Sequence, residues 1–379
     1  QRPPNLSKTL AMAVDEAKLI ERLEALLLEE PGVGYRKLHE KLKTEENFKE
    51  ISLKKVQGAL QKLRSSEASK GPVLYSASDD GTLREWSFGG ELLRSFTGAE
   101  GVQCVQVTDD HIIGGDSSGL MRIWSRPSGE VVKDIKVASR YVKTVLVSGE
   151  YIFTGDYCNL VQRWLLTTGE LQAQYKGHKA GVISMAIAGD LLLAGGGDGH
   201  VLLFDGSKAT KGEDGVLVVE AVESVYKAAG FVCSLEICED RLLVPDRDEH
   251  KVASLRLFSH TNELVPENIR DVRSYKCSMP VWQAAAAGKD IVLALCRDFT
   301  VKKFAAGSRQ LLMTIKVTPT HKEAKNPYAL KVDGDRCYVG YLNSGEIAAF
   351  SLQDGTRQES KGFLGHRGSV NAFCTKEVC

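Results

Sequence analysis

The densest group of side chains able to do chemistry is Asp246, Asp248, Glu249 and His250, within the run DRDEHK. Carboxylates beside a histidine would suit a metal ion or a general base. No second His or Cys stands at ligand spacing, however, and alternating charges in a turn are ordinarily solvated. The glycine-rich run AGGGDGH (194–200) has backbone N–H groups to offer a phosphate. It lacks the GK[ST] of a P-loop and leads into no helix pattern. Nine cysteines (Cys104, Cys158, Cys233, Cys238, Cys277, Cys296, Cys337, Cys374, Cys379) are scattered without a CxxC. They read as small buried hydrophobes of a reducing compartment. GxSxG and HExxH are absent. These residues predict no catalytic site, no metal and no cofactor.

The elements that carry these residues are short strands. The stretch 73–88, VLYSASDDGTLREWSF, alternates Val73, Tyr75 and Ala77 with Leu74, Ser76 and Ser78, turns at Asp79-Asp80-Gly81, and ends its second strand on Trp86. An Asp-Gly turn between period-2 runs predicts a β-hairpin. The phrase recurs with a final aromatic at Trp86, Trp124, Trp164, Phe204, Phe258, Phe304 and Phe350. Each copy runs in one order: alternating strand, turn, strand, polar turn, aromatic strand, Gly turn, fourth strand. YVKTVLV, YIFTG, LVQRWLL and ELQAQYKGH within 140–178 show it.

A period of about 40 residues with four strands and Trp in the third resembles the WD-repeat family. The residues that carry the resemblance are SASDDGTLREW, GGGDGHVLLF, Gly177-His178 and Gly365-His366. The Asp that usually follows the Trp is missing, except at Phe204-Asp205. The resemblance implies a mainly β fold, a β-propeller of four-stranded blades around a central channel. The first copy lacks a first strand, and the chain ends on GHRGSVNAFCTKEVC, one strand with no successor. Pairing Val370–Thr375 with Leu74–Ser78 would complete a blade and remove two open edges. A seven-bladed propeller closed by the C-terminal strand is therefore expected.

In the family a His, a Ser or Thr, an Asp and the Trp form a hydrogen-bonded tetrad. Here that implies His366, Ser76 or Ser78, Asp80 and Trp86. Asp198 and Asp298 stand at the same offset, but before Phe, which cannot hydrogen-bond as Trp does. Ser118 and Cys158 occupy the offset in the second and third copies, with Asp116 and Asp156 two residues earlier. The family pattern also puts the loops between blades, and between second and third strands, on one rim. Arg140, Tyr141, Tyr157, Lys179, Arg247, Arg297 and Arg367 are the partner-binding candidates there. The turn DRDEHK, the connection 207–215 and the passage 316–328 read as longer, exposed loops suited to binding.

The chain before residue 66 has another rhythm. Leu19, Ile20, Leu23, Leu26 and Leu27 share a helical face, Pro31-Gly32 breaks it, and a second helix runs from Tyr35 to Leu42. Ser52 caps a third carrying Leu53, Val56, Leu60 and Leu63. The outline resembles a helix-turn-helix or winged helix, so Arg36, Lys37, Lys54 and Lys55 are candidates for nucleic-acid contact. The competing reading is a protein-docking module with solvated basic faces. The domain division is 1–11, an upstream remnant or disordered stretch before a start-like Met12; 12–66, a three-helix α-helical domain; 67–72, a linker; and 73–379, the propeller.

Lys and Arg total 49, as do Asp and Glu, so bulk charge favours neither nucleic acid nor membrane. No apolar run approaches the roughly 20 residues of a membrane-spanning helix. The function expected is a non-catalytic scaffold for proteins or peptides in the cytoplasm, with the nucleus as alternative location. Two other functions compete with it. One is a nucleic-acid (RNA or DNA)-associated adaptor. The other is a ubiquitin-ligase substrate receptor, disfavoured because the chain reads WSFG, WSRP and WLLT where such a receptor has WDxR.

Overall fold

The computed structural model describes residues 16–29, 35–49, 51–56, 58–59, 72–188, 191–257, 272–358, 363 and 365–376. The expected remnant 1–11, Pro31-Gly32, Leu60, Leu63, Phe258 and all of the linker but Pro72 lie outside the described residues. Backbone contacts divide the chain into two compact units, Gln1–Pro72 with Glu377–Cys379, and Val73–Lys376.

In the first unit, α1 (Glu16–Glu29) and α2 (Tyr35–Lys43) are amphipathic helices. Leu19, Leu23, Leu26, Leu38 and Leu42 form a core with Phe48, Ile51, Val56 and Ala59. The i, i+4 spacing of the leucines puts them on one face of each helix. The Ser52 hydroxyl accepts the Lys55 N–H at 3.3 Å, capping the short helical turn that follows. Lys37 lies on α2 and Lys54 and Lys55 on that later turn, all three exposed; Arg36 belongs to α2.

The second unit is built of β-sheets. β1 (Val73–Ser78), β2 (Leu83–Ser87) and β3 (Leu92–Phe96) form one antiparallel set, and β4 (Val102–Val107), β5 (His111–Asp116), β6 (Leu120–Ser125) and β7 (Val131–Lys136) the next. β8 (Val142–Ser148), β9 (Tyr151–Asp156), β10 (Val161–Leu165) and β11 (Leu171–Lys176) follow the same order. β12 (Val182–Ala188), β13 (Leu191–Gly196) and β14 (His200–Asp205) come next, then the two-residue β15 (Thr210–Lys211) and the long β16 (Leu217–Lys227). β17 (Glu236–Cys238), β18 (Arg241–Asp246), β19 (Lys251–Arg256) and β20 (Val272–Lys276) make a sheet; so do β21 (Val281–Ala287), β22 (Ile291–Cys296), β23 (Thr300–Ala305) and β24 (Leu311–Lys316). β25 (Pro327–Asp333), β26 (Arg336–Tyr341) and β27 (Ile347–Ser351) are the last set, and β28 (Val370–Lys376) returns to β1.

β28 runs antiparallel to β1, from Val73 opposite Lys376 to Ser78 opposite Val370. Every residue of β1 is buried, so both of its faces are covered as well as both of its edges. The innermost strands touch in the order β28, β4, β8, β12, β17, β21, β25 and back to β28. Between first and last sheets, Leu74, Trp86, Tyr338, Ile347, Phe363 and Val370 share a core. Trp86 and Phe363 meet edge to face at 5.7 Å. A glycine in the second strand of one sheet repeatedly seats the first valine of the next. A Cβ at Gly155 would come within 2.8 Å of Val182, at Gly115 within 2.6 Å of Val142, and at Gly340 within 2.6 Å of Val370. Close approach therefore requires glycine at these three strand positions.

Three expectations need correction. Residue pairing puts Leu255, opposite Leu242, where the other sheets carry their aromatic, three positions earlier in the sequence than the expected Phe258. The turn DRDEHK is not elongated. Residues 247–250 join β18 to β19 just as 79–82 join β1 to β2. The connection 207–215 is not simply an exposed loop. It includes a short 3-10 helix and β15, and it leads into β16. That strand pairs antiparallel with β14 and, through Leu217–Glu220, parallel with β11, stitching two neighbouring sheets together. Among the described residues, the last sheet is extended beyond β27 by isolated bridges at Phe363 and Arg357.

Candidate interaction face and central cavity

Antiparallel order brings the turn between second and third strands to the same end of each sheet as the connection into the next sheet. Backbone hydrogen bonds bind these two loop types together around the unit. Asp79 N donates to Ser369 O at 3.0 Å, Ser117 N to Glu100 O at 2.9 Å, and Tyr157 N to Tyr141 O at 3.0 Å. Gly197 N donates to Gly181 O at 2.8 Å, Arg297 N to Pro280 O at 2.9 Å, and Leu342 N to Asn326 O at 2.9 Å.

Carboxylates reinforce the arrangement. Asp80 accepts the Arg367 N–H at 2.8 Å, Asp198 that of Lys179 at 2.8 Å, Asp116 that of Glu100 at 3.2 Å, and Asp246 that of Ala229 at 3.2 Å. Glu346, which the sequence reading missed, accepts Thr320 N at 2.9 Å and His321 N at 2.9 Å. These acids are structural. Asp246 also takes the Tyr226 hydroxyl, while Asp248 pairs with Arg247 and Glu249 with Lys251, so the group around His250 diverges into separate contacts. Among the described residues, no three His, Cys, Asp or Glu converge as a metal ion would need.

His366, Ser76, Asp80 and Trp86 come together from both ends of the unit. Trp86 Nε1 donates to Ser76 Oγ at 2.7 Å, Ser76 Oγ meets His366 Nε2 at 2.7 Å, and His366 Nδ1 meets Asp80 Oδ2 at 3.1 Å. The consistent proton order is indole to hydroxyl, hydroxyl to Nε2, and Nδ1–H to carboxylate, with a neutral imidazole. Burial pushes the His366 imidazole below its ordinary pKa, against the pull of Asp80. Burial would raise Asp80, but His366, Thr82 and the Arg367 N–H hold its carboxyl far below the usual range. Ser78 is the excluded alternative: its Oγ accepts the Asp80 N–H at 3.2 Å and supports the turn. Strand alternation alone would put Ser76 and Ser78 on one face; the register shift between Ala77 and Ser78, where β1 gives way to the turn, separates them.

The candidate rim residues all fall in these two loop types. Arg140, Tyr141, Lys179 and Arg367 sit in the connections between sheets; Tyr157, Arg247 and Arg297 sit in the turns. Arg140, Tyr141, Lys179, Arg297 and Arg367 are exposed, Tyr157 and Arg247 half-buried. Tyr141 and Tyr157 stack with centroids 5.3 Å apart. Arg247 lies over Phe231 at 4.9 Å and Trp282 at 5.8 Å.

A second layer escaped the sequence reading. In β4, β8, β12, β21, β25 and β28 the ladder skips the second residue, a β-bulge. The skipped residues are Gln103, Lys143, Ile183, Trp282, Tyr328 and Asn371. A bulge re-aims one side chain out of the pleat. All six, with Cys233, line a cavity of about 240 Å³ enclosed by the innermost strands. Lys143 Nζ donates to Gln103 Oε1 at 2.9 Å and lies 5.5 Å from the Tyr328 ring, which packs on Trp282 at 5.8 Å. Burial opposes the Lys143 charge, but Tyr328, Tyr157 and Cys104 more than compensate and keep its pKa above the ordinary lysine value. The legible signal was a repeated strand-opening Val (Val102, Val142, Val182, Val281, Val370) with a variable residue after it; Val232 precedes Cys233 in the same way, ahead of β17.

This architecture is consistent with a WD-repeat β-propeller, and the chain carries a WD40 repeat. The family described as WD domain, G-beta repeat matches residues 169–205, from the turn before β11 to the end of β14. Among solved structures, the fold is similar to that of the computationally designed Ika8 protein. The TM-score is 0.59 and the identity 18%, over 79% of this chain and 86% of that one. Comparison with curated proteins gives no match.

Proposed function

We propose that Val73–Lys376 is a seven-bladed propeller serving as a non-catalytic scaffold that grips a protein or peptide on the face made by its turns and inter-sheet connections. A WD40 repeat supports a protein-interaction role in general. The observation that carries the finer reading is the set of exposed Arg140, Tyr141, Lys179, Arg297 and Arg367 on loops that hydrogen bonds and buried carboxylates hold in place. Rigid loops lose little entropy on binding, and Arg and Tyr are frequent anchors. The cycle of innermost-strand contacts, closed by β28, supports the blade number. The reactive groups of the same loops are committed to structural hydrogen bonds, which favours gripping over catalysis. The test is affinity purification with mass spectrometry, comparing the native chain with Arg140→Glu/Lys179→Glu/Arg367→Glu. Partners should be lost from the triple variant at unchanged melting temperature; undiminished recovery overturns this face.

A further inference from the structure

We propose that the cavity at the centre of this face receives an acidic side chain from a bound peptide, with Lys143 as its counter-charge and Trp282 and Tyr328 as its walls. This rests on the interaction face above and names the chemistry of its partner.

The cavity carries a single positive charge. Among its described lining residues Lys143 alone is charged; the others are apolar, amide, hydroxyl or thiol. An ammonium has three N–H donors. One goes to Gln103 Oε1, and the Tyr328 face lies alongside. The nearest acid in that network, Asp79, is one step removed: its Oδ1 accepts Gln103 Nε2 at 2.9 Å and Asn371 Nδ2 at 2.7 Å. A half-buried cation without a carboxylate of its own is costly, and a carboxylate brought by a partner offsets that cost. Trp282, whose ring lines the cavity, keeps a buried Nε1–H without an acceptor.

The surrounding field has the same sign. The outermost strand ends on lysine in five successive sheets: Lys136, Lys176, Lys227, Lys276 and Lys316, all exposed. They stand at the edge of the face that carries Arg140, Lys179, Arg297 and Arg367. Asp80, Asp116, Asp198, Asp246 and Glu346, the acids of those loops, are turned inward onto backbone N–H groups. Exposed Asp79, Glu100, Asp248, Glu249, Asp298 and Glu323 remain, fewer than the cations around them, and Asp79 is held by the Gln103 and Asn371 amides. Such a field steers an acidic segment to the face. A peptide suits the centre better than nucleic acid does. One ammonium in a narrow cavity matches one carboxylate on a flexible stem, whereas a phosphodiester backbone would ride on the outer lysines and leave the cavity unfilled.

The probe is a fluorescein-labelled peptide, (Glu-Gly)4-Glu, titrated by anisotropy with the full chain beside its Gln-for-Glu counterpart. The acidic peptide should bind and the Gln peptide be at least roughly tenfold weaker. Lys143→Gln should weaken the acidic peptide by about tenfold with an unchanged melt, and Lys143→Arg should retain most of the binding. Trp282→Phe should weaken it less. Equal binding by Lys143→Gln overturns the assignment. So does a dT12 oligonucleotide or an anionic vesicle that binds with the same Lys143 dependence. If the triple rim variant loses its partners while Lys143→Gln keeps the peptide, the face stands and the cavity assignment falls. If the rim variant keeps all partners while Lys143→Gln loses the peptide, the cavity stands and the rim falls.

Discussion

Two sheets of this protein hold the same histidine–aspartate pair in different company. In the sheet closed by β28, His366 bridges Asp80 to Ser76, and Ser76 takes the Trp86 indole N–H. In the sheet of β12–β14, His178 meets Asp198 at 3.1 Å, but Ala194 and Phe204 stand where Ser76 and Trp86 would be. The imidazole Nε2 therefore turns to the Ala194 carbonyl at 3.1 Å. The third sheet keeps the opposite half: Trp164 Nε1 donates to Thr154 Oγ1 at 2.9 Å, with no histidine above it. The complete network occurs where both ends of the unit meet. A closure made by noncontiguous strands has no short connection to hold it, so side chains supply the extra attachment.

The comparison predicts a graded series. Deleting 365–379 should have the largest effect, abolishing cooperative urea unfolding and exposing β1 as an aggregating edge. A retained cooperative transition would show that the closure contributes little. Asp80→Ala strips bonds from His366, Arg367 N, Thr82 N and Thr82 Oγ1, and should cost about 2–4 kcal/mol. Asp198→Ala, with fewer partners, should cost about 1–2 kcal/mol. Equal urea midpoints for these two variants would remove the distinction between the sheets.

The pH dependence follows from the same site. The folded His366 pKa lies below its unfolded value of about 6.5, so the unfolded chain binds more protons in that window and stability falls as pH drops through it. Asp80 is also depressed, and its contribution is lost only at lower pH, beginning near the ordinary carboxylate value. Urea midpoints from pH 8 to pH 5 should fall for the native chain and fall less for His366→Gln. Trp86→Phe, which gives the closing sheet the chemistry of the fourth, should lose about 1 kcal/mol. The reverse graft, Ala194→Ser with Phe204→Trp, should have the smallest effect, a gain of up to about 1 kcal/mol if His178 releases the Ala194 carbonyl.

The legible parts were those set by local pattern. Alternation in 73–78, the Asp-Gly turn and the recurring aromatic mark strands and their order, because a strand's two faces meet different surroundings. The leucine spacing of α1 and α2 marks helices for the equivalent reason. Leu255 was not legible. Without an aromatic it looks like its neighbours, and the next aromatic, Phe258, captured the register. Glu346 was hidden because its partners, Thr320 and His321, lie 26 and 25 residues away. β16 was hidden because joining two sheets leaves no mark on local periodicity.

Local chemistry in the chain thus decided the β-class of Val73–Lys376, the helices before it and the match between its two unpaired ends. Folding in three dimensions decided which serine faces the histidine. It also decided that one bulged residue turns inward in six of the seven innermost strands, and that Lys143 stands with Trp282 and Tyr328, residues far from it in sequence. A bulge is a property of two paired strands, and a cavity is a property of all the inner strands at once. Neither exists until the partners are in register.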